Sequence, residues 1–337
     1  MVTLTHPNDK EAPTVVKGMR PVNLRTDLAQ LADLIEIAFA DSMDSGGRAA
    51  LREMRYLSRS GPTLPLLSRL NDSVLHINLG YVWIEDERLI GNVSVVPTNM
   101  PGDFGKQWII ANVGVHPDFQ GRGIARKLMI ASMEMIRQRN GHAAILTVDI
   151  NNQVARHLYR KLGFVEQRAW TYWRRSGYSS VPKPSFSGEV HIARRRRNEW
   201  QAEYELAKQI RPQEKGGLGW LRPLHESQFK QSFFSILSNW LNLRSTERLV
   251  IRNEHDIVAA SLWIENNIAG RTNLTLMCDP NYAGAYDDAL IHNAVRRYGR
   301  STLNIEHPTD ALKNSQVLDK YRFTRQQTQI HMRWDAR

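Results

Sequence analysis

The strongest constraint on this 337-residue chain is an internal echo. HPDFQGRG (residues 116–123) lies over DPNYAGAY (279–286) without a gap, and KLGF (161–164) lies over KYRF (320–323). A repeat of this size predicts one supersecondary plan used twice, which decides the architecture before any single element is assigned. Between the copies, Ser176 to Gly188 reads SGYSSVPKPSFSG, a Ser, Pro and Gly composition that suits a linker.

Periodicity fills in the plan. Leu28, Leu31, Leu34, Ile35, Ala38 and Phe39 recur at three and four residues, which predicts a helix with Thr26 and Asp27 at its start. GGRAALREMRYLSRSGP (46–62) predicts a second helix closed by Gly61 and Pro62, and TLPLLSRLNDS after it reads as irregular. VLHINLGYVWIED and RLIGNVSVVPTN alternate around Glu85-Asp86-Glu87 as a hairpin, and WIIANVGVHP reads as a third strand. The next helix presents Ile124, Leu128, Met129, Ala131, Met135 and Ile136 and stops at Asn140-Gly141. AAILTVDI suits a buried central strand, NNQVARHLYRKLGF a compact helix and AWTYWRR a last strand. The same order returns from VHIA to QTQIHMRW, including a helix over SQFKQSFFSILSNWL and a hairpin around Glu254-His255-Asp256. The expected fold is α/β with a mixed α+β sheet, built as two tandem copies. Residues 1–17 are read as a loose leader, 18–176 as the first domain, 177–187 as a linker and 188–337 as the second domain.

Composition enters through charge. A net charge of +11 favours anionic partners without choosing among them. Its sharpest cluster, Arg194 to Arg197, is read as a solvated strand-to-helix turn, because it lacks the interleaved aromatics and glycines of an RNA module. Nucleic acid is therefore not among the expected partners. No run of eighteen uncharged apolar residues occurs, so a membrane helix is not expected. The polar start lacks the apolar stretch of a signal peptide, and a cytoplasmic location is expected. Cys278 is the sole cysteine, which rules out an internal disulfide and a CxxC metal site; it is read as a small buried strand residue.

The first copy of the echo has a chemistry of its own. A helix N-terminus presents unpaired N–H groups and a partial positive charge, and glycine lets a ligand approach the backbone with no Cβ in the way. Gln120 to Ala125 combine both, with Arg122, Arg126 and Lys127 around them, which makes an anion cradle suited to a diphosphate. A P-loop is excluded by the missing GK[ST], and a Rossmann turn by the GxG spacing and the antiparallel strand pattern before it.

With these residues the chain resembles the GNAT superfamily of acyl-CoA-dependent N-acyltransferases. That family's [QR]-x-x-G-x-[GA] signature after an apolar strand is met around Gln120-Gly121-Arg122-Gly123-Ile124-Ala125. Its downstream N-x-x-A-x-x-[LF]-Y…GF helix is met by Asn152, Ala155, Leu158, Tyr159, Gly163 and Phe164. The match covers residues 18–176, while 186–337 follow only in element order. The resemblance implies acetyl-CoA as cosubstrate and no metal. The amides of Gly121, Arg122, Gly123, Ile124 and Ala125 would hold the diphosphate, with Gln120 and Arg126 beside them. Val113 and Val115 would pair with the pantetheine arm as an added strand, and Asn152 would bond to it.

The resemblance also assigns chemistry. The Val115 N–H would polarise the thioester carbonyl, and Tyr159 would act as general acid for the departing sulfur. The base is not identifiable from the motifs. Asp149, at the end of a central strand, is the better placed candidate, directly or through water; Glu85 and Asp86 are read as a solvated turn and His116 as a loop residue. The second copy keeps Gly284 but carries Asp287 and Asp288 near the cradle, and Leu318 falls over Tyr159. It is read as a degenerate copy that binds no CoA. It would close the amine pocket, provide a homodimer surface, or serve stability alone. The expected activity is acetyl transfer to a primary amine of a small molecule. A protein or peptide amine as acceptor, and a CoA-binding sensor without turnover, are carried as alternatives.

Overall fold

The computed structural model describes residues 18–40, 43, 45–59, 79–98, 105–184, 190–219, 224–230, 245–266 and 271–336. The leader, the segment TLPLLSRLNDS and most of the helix expected over SQFKQSFFSILSNWL lie outside the described residues. The chain divides into two compact units. One lies within Met1–Thr98, Lys106–Ala144 and Asp335–Arg337, the other within Asn99–Gly105 and Ile145–Trp334.

In the first unit, β1 (Gly18–Pro21), β2 (Gly80–Glu85), β3 (Arg88–Pro97) and β4 (Gln107–Val115) form an antiparallel meander. Helix α1 (Leu24–Ala38) starts earlier than its apolar pattern suggests. Asn23 caps it by accepting from the Arg25 N–H, and Thr26 and Asp27 fall inside its first turn. Asp27 is buried there because Arg20 holds both of its oxygens, at 2.6 and 2.7 Å. Leu28, Leu31 and Ile35 of α1 and Leu51, Met54 and Leu57 of α2 (Ser45–Ser58) pack over Val82, Ile84 and Leu89. Helix α3 (Ile124–Gln138) buries Ile124, Leu128, Met129 and Ile136 as expected, but Ser132 and Met133 in place of Ala131 and Met135. It ends at Asn140, which takes a left-handed backbone, and the Gly141 N–H donates to the Ile136 carbonyl.

The second unit has most of β5 (Ala143–Asp149), from Ile145 on, with α4 (Gln153–Lys161) and β6 (Val165–Arg175), followed by β7 (Ile192–Arg194), α5 (Trp200–Ile210) and α6 (Glu226–Lys230). Then come β8 (Ser245–Arg252), β9 (Val258–Asn266), β10 (Arg271–Cys278), α7 (Tyr286–Arg297), β11 (Thr302–Pro308), α8 (Leu312–Lys320) and β12 (Thr324–Asp335). Its strand order is β5-β12-β6-β11-β10-β9-β8-β7. The repeat is thus complete, and one strand is exchanged: β6, the last strand of the first copy, pairs antiparallel with β11 of the second. β12, its counterpart, lies on the other side of β6 and next to β5.

The arginine run splits where the sequence placed a turn. Arg195, 2% exposed, faces buried Glu203 at 3.2 Å, while Arg196 reaches Asp256 at 3.2 Å and Arg194 lies 3.6 Å from Glu247. Among the described residues, no helix is long and apolar enough to cross a membrane.

Two histidines of this sheet are buried, His307 on β11 and His331 on β12. Desolvation, aided by Arg168 and Arg211, pushes both down to about 3. The folded state therefore keeps them neutral, whereas the unfolded chain protonates them below about pH 6.5. Their contribution to stability is complete above that pH and falls toward pH 3, by about 1.4 kcal/mol per pH unit for each histidine. Denaturant titrations from pH 7 to 4 should show this loss. His331→Phe, which keeps a ring against Trp170, should reduce its slope by about half.

Candidate active site

The loop from β4 to α3 is shaped by local bonds. The His116 N–H donates to the Ile90 carbonyl at 2.9 Å, and Pro117–Phe119 form a single 3₁₀ turn whose Asp118 N–H donates to His116 Nδ1. Gln120 Nε2 donates to the Val115 carbonyl at 3.2 Å. Gly121 and Gly123 then take φ of +77° and +74°, a backbone that favours glycine. A Cβ at either position would meet nothing within 4 Å, so the space above this turn is open. Gly123 caps α3 without a side chain. Among the described residues no acceptor is found for the N–H groups of Gly121, Arg122, Gly123, Ile124 or Ala125.

Charge surrounds them. Arg122 lies 4.7 Å over the Phe119 ring and 3.5 Å from Glu85, Lys127 lies 5.1 Å over Trp83, and Arg126 is exposed. Glu85 is therefore not the solvated turn residue the sequence suggested. It ends β2 against the cradle arginine with 17% exposure, and Asp86 and Glu87 form the turn. Ile124 differs from its neighbours: its side chain is buried in the core and only its backbone faces the loop.

One part of the site escaped sequence reasoning. Asn92 faces Gly114 and Ser94 faces Ala111, so Asn112 and Val113 together oppose one residue of β3. This β-bulge holds Asn112 at φ +51°. Buried Asn92 donates to the Asn112 carbonyl at 3.0 Å, and Asn112 Nδ2 lies 3.3 Å from Ser94 Oγ. The available signal was three polar residues, Asn92, Ser94 and Asn112, inside two apolar strands. Val113 thus sits in the bulge and Val115 two residues beyond it.

The second unit carries Asp149, Asn152 and Tyr159 on one strand–loop–helix. Asp149 ends β5 and accepts from the Asn151 N–H at 2.8 Å and from Gln327 Nε2 at 3.2 Å. Asn152 caps α4 by accepting from the Ala155 N–H at 3.0 Å. Tyr159 is 6% exposed with its ring 6.0 Å from that of Phe164, and burial pushes its phenol up to about 12.

The second copy repeats the turn and fills it. Pro280–Tyr282 form the same 3₁₀ turn, with Asp279 accepting from the Asn281 N–H as His116 does from Asp118, and Gly284 has φ +96°. Helix α7 then starts one residue early: buried Leu290, Ile291, Ala294 and Val295 take the places of Leu128, Met129, Ser132 and Met133. Asp287 Oδ1 accepts from the N–H groups of Gly284 at 2.6 Å and Asp288 at 3.1 Å, and Oδ2 accepts from Asn314 at 2.8 Å. A carboxylate of the chain itself occupies the amide nest, buried deeply enough that its pKa is pushed up. Asp288 is tied to Lys320 at 2.6 Å. The β9–β10 ladder runs without a bulge, and buried Leu318 stands where Tyr159 does. Cys278 is also buried, and desolvation followed by Asp287 raises its thiol, so it offers no thiolate.

A basic, glycine-punctuated strand-to-helix turn after a bulged strand presents a helix N-terminus of the kind that can receive an anion. Residues 50–164, about a third of the chain, match the acetyltransferase (GNAT) family. The chain's fold is shared by a GCN5-related N-acetyltransferase from Sphaerobacter thermophilus, with a TM-score of 0.60 and 14% identity, covering 95% of this chain and 96% of that one. It is shared too by a tandem GNAT protein from the clavulanic acid biosynthesis pathway, with a TM-score of 0.50 and 12% identity over 95% and 98% of the two chains. A mycothiol acetyltransferase from Rhodococcus jostii is 35% identical over 89 residues, 26% of this chain and 28% of the relative. The chain thus matches under a third of that curated relative's length. Among the described residues, no group of three or more His, Cys, Asp or Glu is placed to hold a metal ion.

Asp287→Ala would leave two N–H groups and the Asn314 amide without their acceptor. It should lower unfolding free energy by about 1–3 kcal/mol in denaturant titrations and leave acetyl-CoA affinity unchanged.

Proposed function

We propose that the protein transfers an acetyl group from acetyl-CoA to the primary amine of a small molecule by direct attack, using the first copy alone. The observation that carries this reading is the contrast between the two nests: five free amides with added arginine in one, a carboxylate already seated in the other. An anion fits the first and is excluded from the second by charge and by occupancy. The domain division at 18–176 and 188–337, with the linker at 177–187, belongs to the same proposal. The relative named for mycothiol supports a small-molecule acceptor.

Acetyl-CoA supplies an activated acyl thioester. The amides of Gly121, Arg122, Gly123, Ile124 and Ala125 would hold its diphosphate, with Arg122 and Arg126 adding charge and Gln120 fixing the turn onto Val115. Val113 and Val115 would offer backbone groups to the pantetheine amides, and the Asn152 side-chain NH₂ would remain free for the arm while its oxygen caps α4. The Val115 N–H would polarise the carbonyl. Asp149 would take the amine proton, directly or through water, and Tyr159 would give a proton to the departing sulfur. A phenol raised to about 12 is fully protonated at every working pH, the form a general acid needs.

Release of free thiol, followed over a panel of small amines and peptides with calorimetry for acetyl-CoA, tests the activity; binding without release for any amine would select the sensor reading. Tyr159→Phe should lower kcat about a hundredfold or more and leave the acetyl-CoA Kd within about twofold. An unchanged kcat would remove the assignment. In wild type, kcat should show no loss attributable to Tyr159 up to about pH 11. Gly123→Glu should abolish acetyl-CoA binding by placing a carboxylate at the open nest, whereas Gly284→Glu should leave it intact.

A further inference from the structure

The outward face of α7 carries Ala289, His292, Asn293 and Arg296, spaced i, i+3, i+4 and i+7. Its inward face packs on the core of β8, β9 and β10 through Leu290, Ile291, Ala294 and Val295. The edge of this sheet is short: β7 pairs with β8 over three residues, whereas β8 itself runs for eight. At this edge Val190 and Ile192 reach the core margin only partly buried. Between them lies a cavity of 460 Å³, within the range of small-molecule sites.

The walls of this cavity are divided. Val190, Ile192 and Ala289 make one side apolar, and His292, Asn293 and Arg296 make the other polar. His292 Nδ1 and Asn293 Oδ1 are both shut off from water and without a hydrogen-bond partner. Interiors rarely leave two such neighbouring atoms unpaired, since neither water nor protein repays their desolvation. Arg297 is held by Glu247 at 2.8 Å, but Arg296 has no acidic partner among the described residues. The site therefore offers the exposed guanidinium of Arg296, the polar side chains of His292 and Asn293, and an apolar wall.

We propose that this cavity is a second ligand site, taking a small amphipathic carboxylate. Arg296 pairs with the carboxylate, His292 and Asn293 meet the polar atoms beside it, and Val190, Ile192 and Ala289 cover the hydrocarbon. The proposal does not depend on acyl transfer, because no residue of the nest before α3 takes part.

Hexanoate, hexanol and hexylamine are titrated by calorimetry into the full chain held saturated with acetyl-CoA. Hexanoate should bind with a Kd of about 1 mM, hexanol at least about tenfold more weakly and hexylamine not at all. Arg296→Gln should weaken hexanoate about tenfold, and Ala289→Trp, which fills the cavity, should abolish binding; both should keep the wild-type acetyl-CoA affinity. If Ala289→Trp does not fold, Arg296→Gln decides, since that side chain is exposed. Absence of hexanoate binding to wild type, equal binding of hexylamine, or binding that survives these substitutions overturns the proposal.

Discussion

A helix that follows a strand leaves its first amides without acceptors, and this protein is organised around what fills them. In α7 the chain supplies its own acceptor, Asp287, on the second residue of the helix. In α3 the same neighbourhood holds glycine backbone and open space. One copy satisfies these amides internally, and the other leaves them facing open space. Loss of the bulge, substitution of Tyr159 by Leu318 and burial of Cys278 all accompany the closed state of the second copy.

The exchange of β6 and β12 makes the last strand of the first copy part of the second copy's sheet. β6 is hydrogen-bonded along both edges by strands of the second copy, and Arg175 at its end is fully buried, donating to the carbonyls of Tyr321 and Ser179. A guanidinium held by carbonyls in the interior is stable only while those carbonyls remain in place. The helix bearing Tyr159 leads directly into that strand, so the placement of the proposed acid depends on residues far along the chain.

Much of the site was legible beforehand. The glycines, the basic residues and the following helix are local features, and a local feature writes its own spacing into the sequence. The Asn152 to Phe164 segment is legible for the same reason. The bulge at Asn112 was not, because it depends on Asn92 and Ser94 in another strand, and an isolated asparagine in an apolar run carries no partner with it. Glu85 was misplaced for a similar reason: as a sequence it belongs to an acidic turn, and only the folded hairpin sets it against Arg122. The early start of α7 was hidden by an alignment without gaps, which matches residues and says nothing of helical phase.

By itself, the sequence determined that one plan is used twice, that the first copy carries a basic, glycine-punctuated turn before its helix and that the second does not. These follow from residue types at fixed local spacing. Tertiary structure alone decided that Asp287 occupies the nest rather than merely repelling an anion. It also decided that the final strands change places, and that a short edge strand leaves a polar-walled cavity beside α7. Each of these depends on contacts between residues distant in the chain, where hydrogen-bond geometry and exclusion of water settle what spacing cannot.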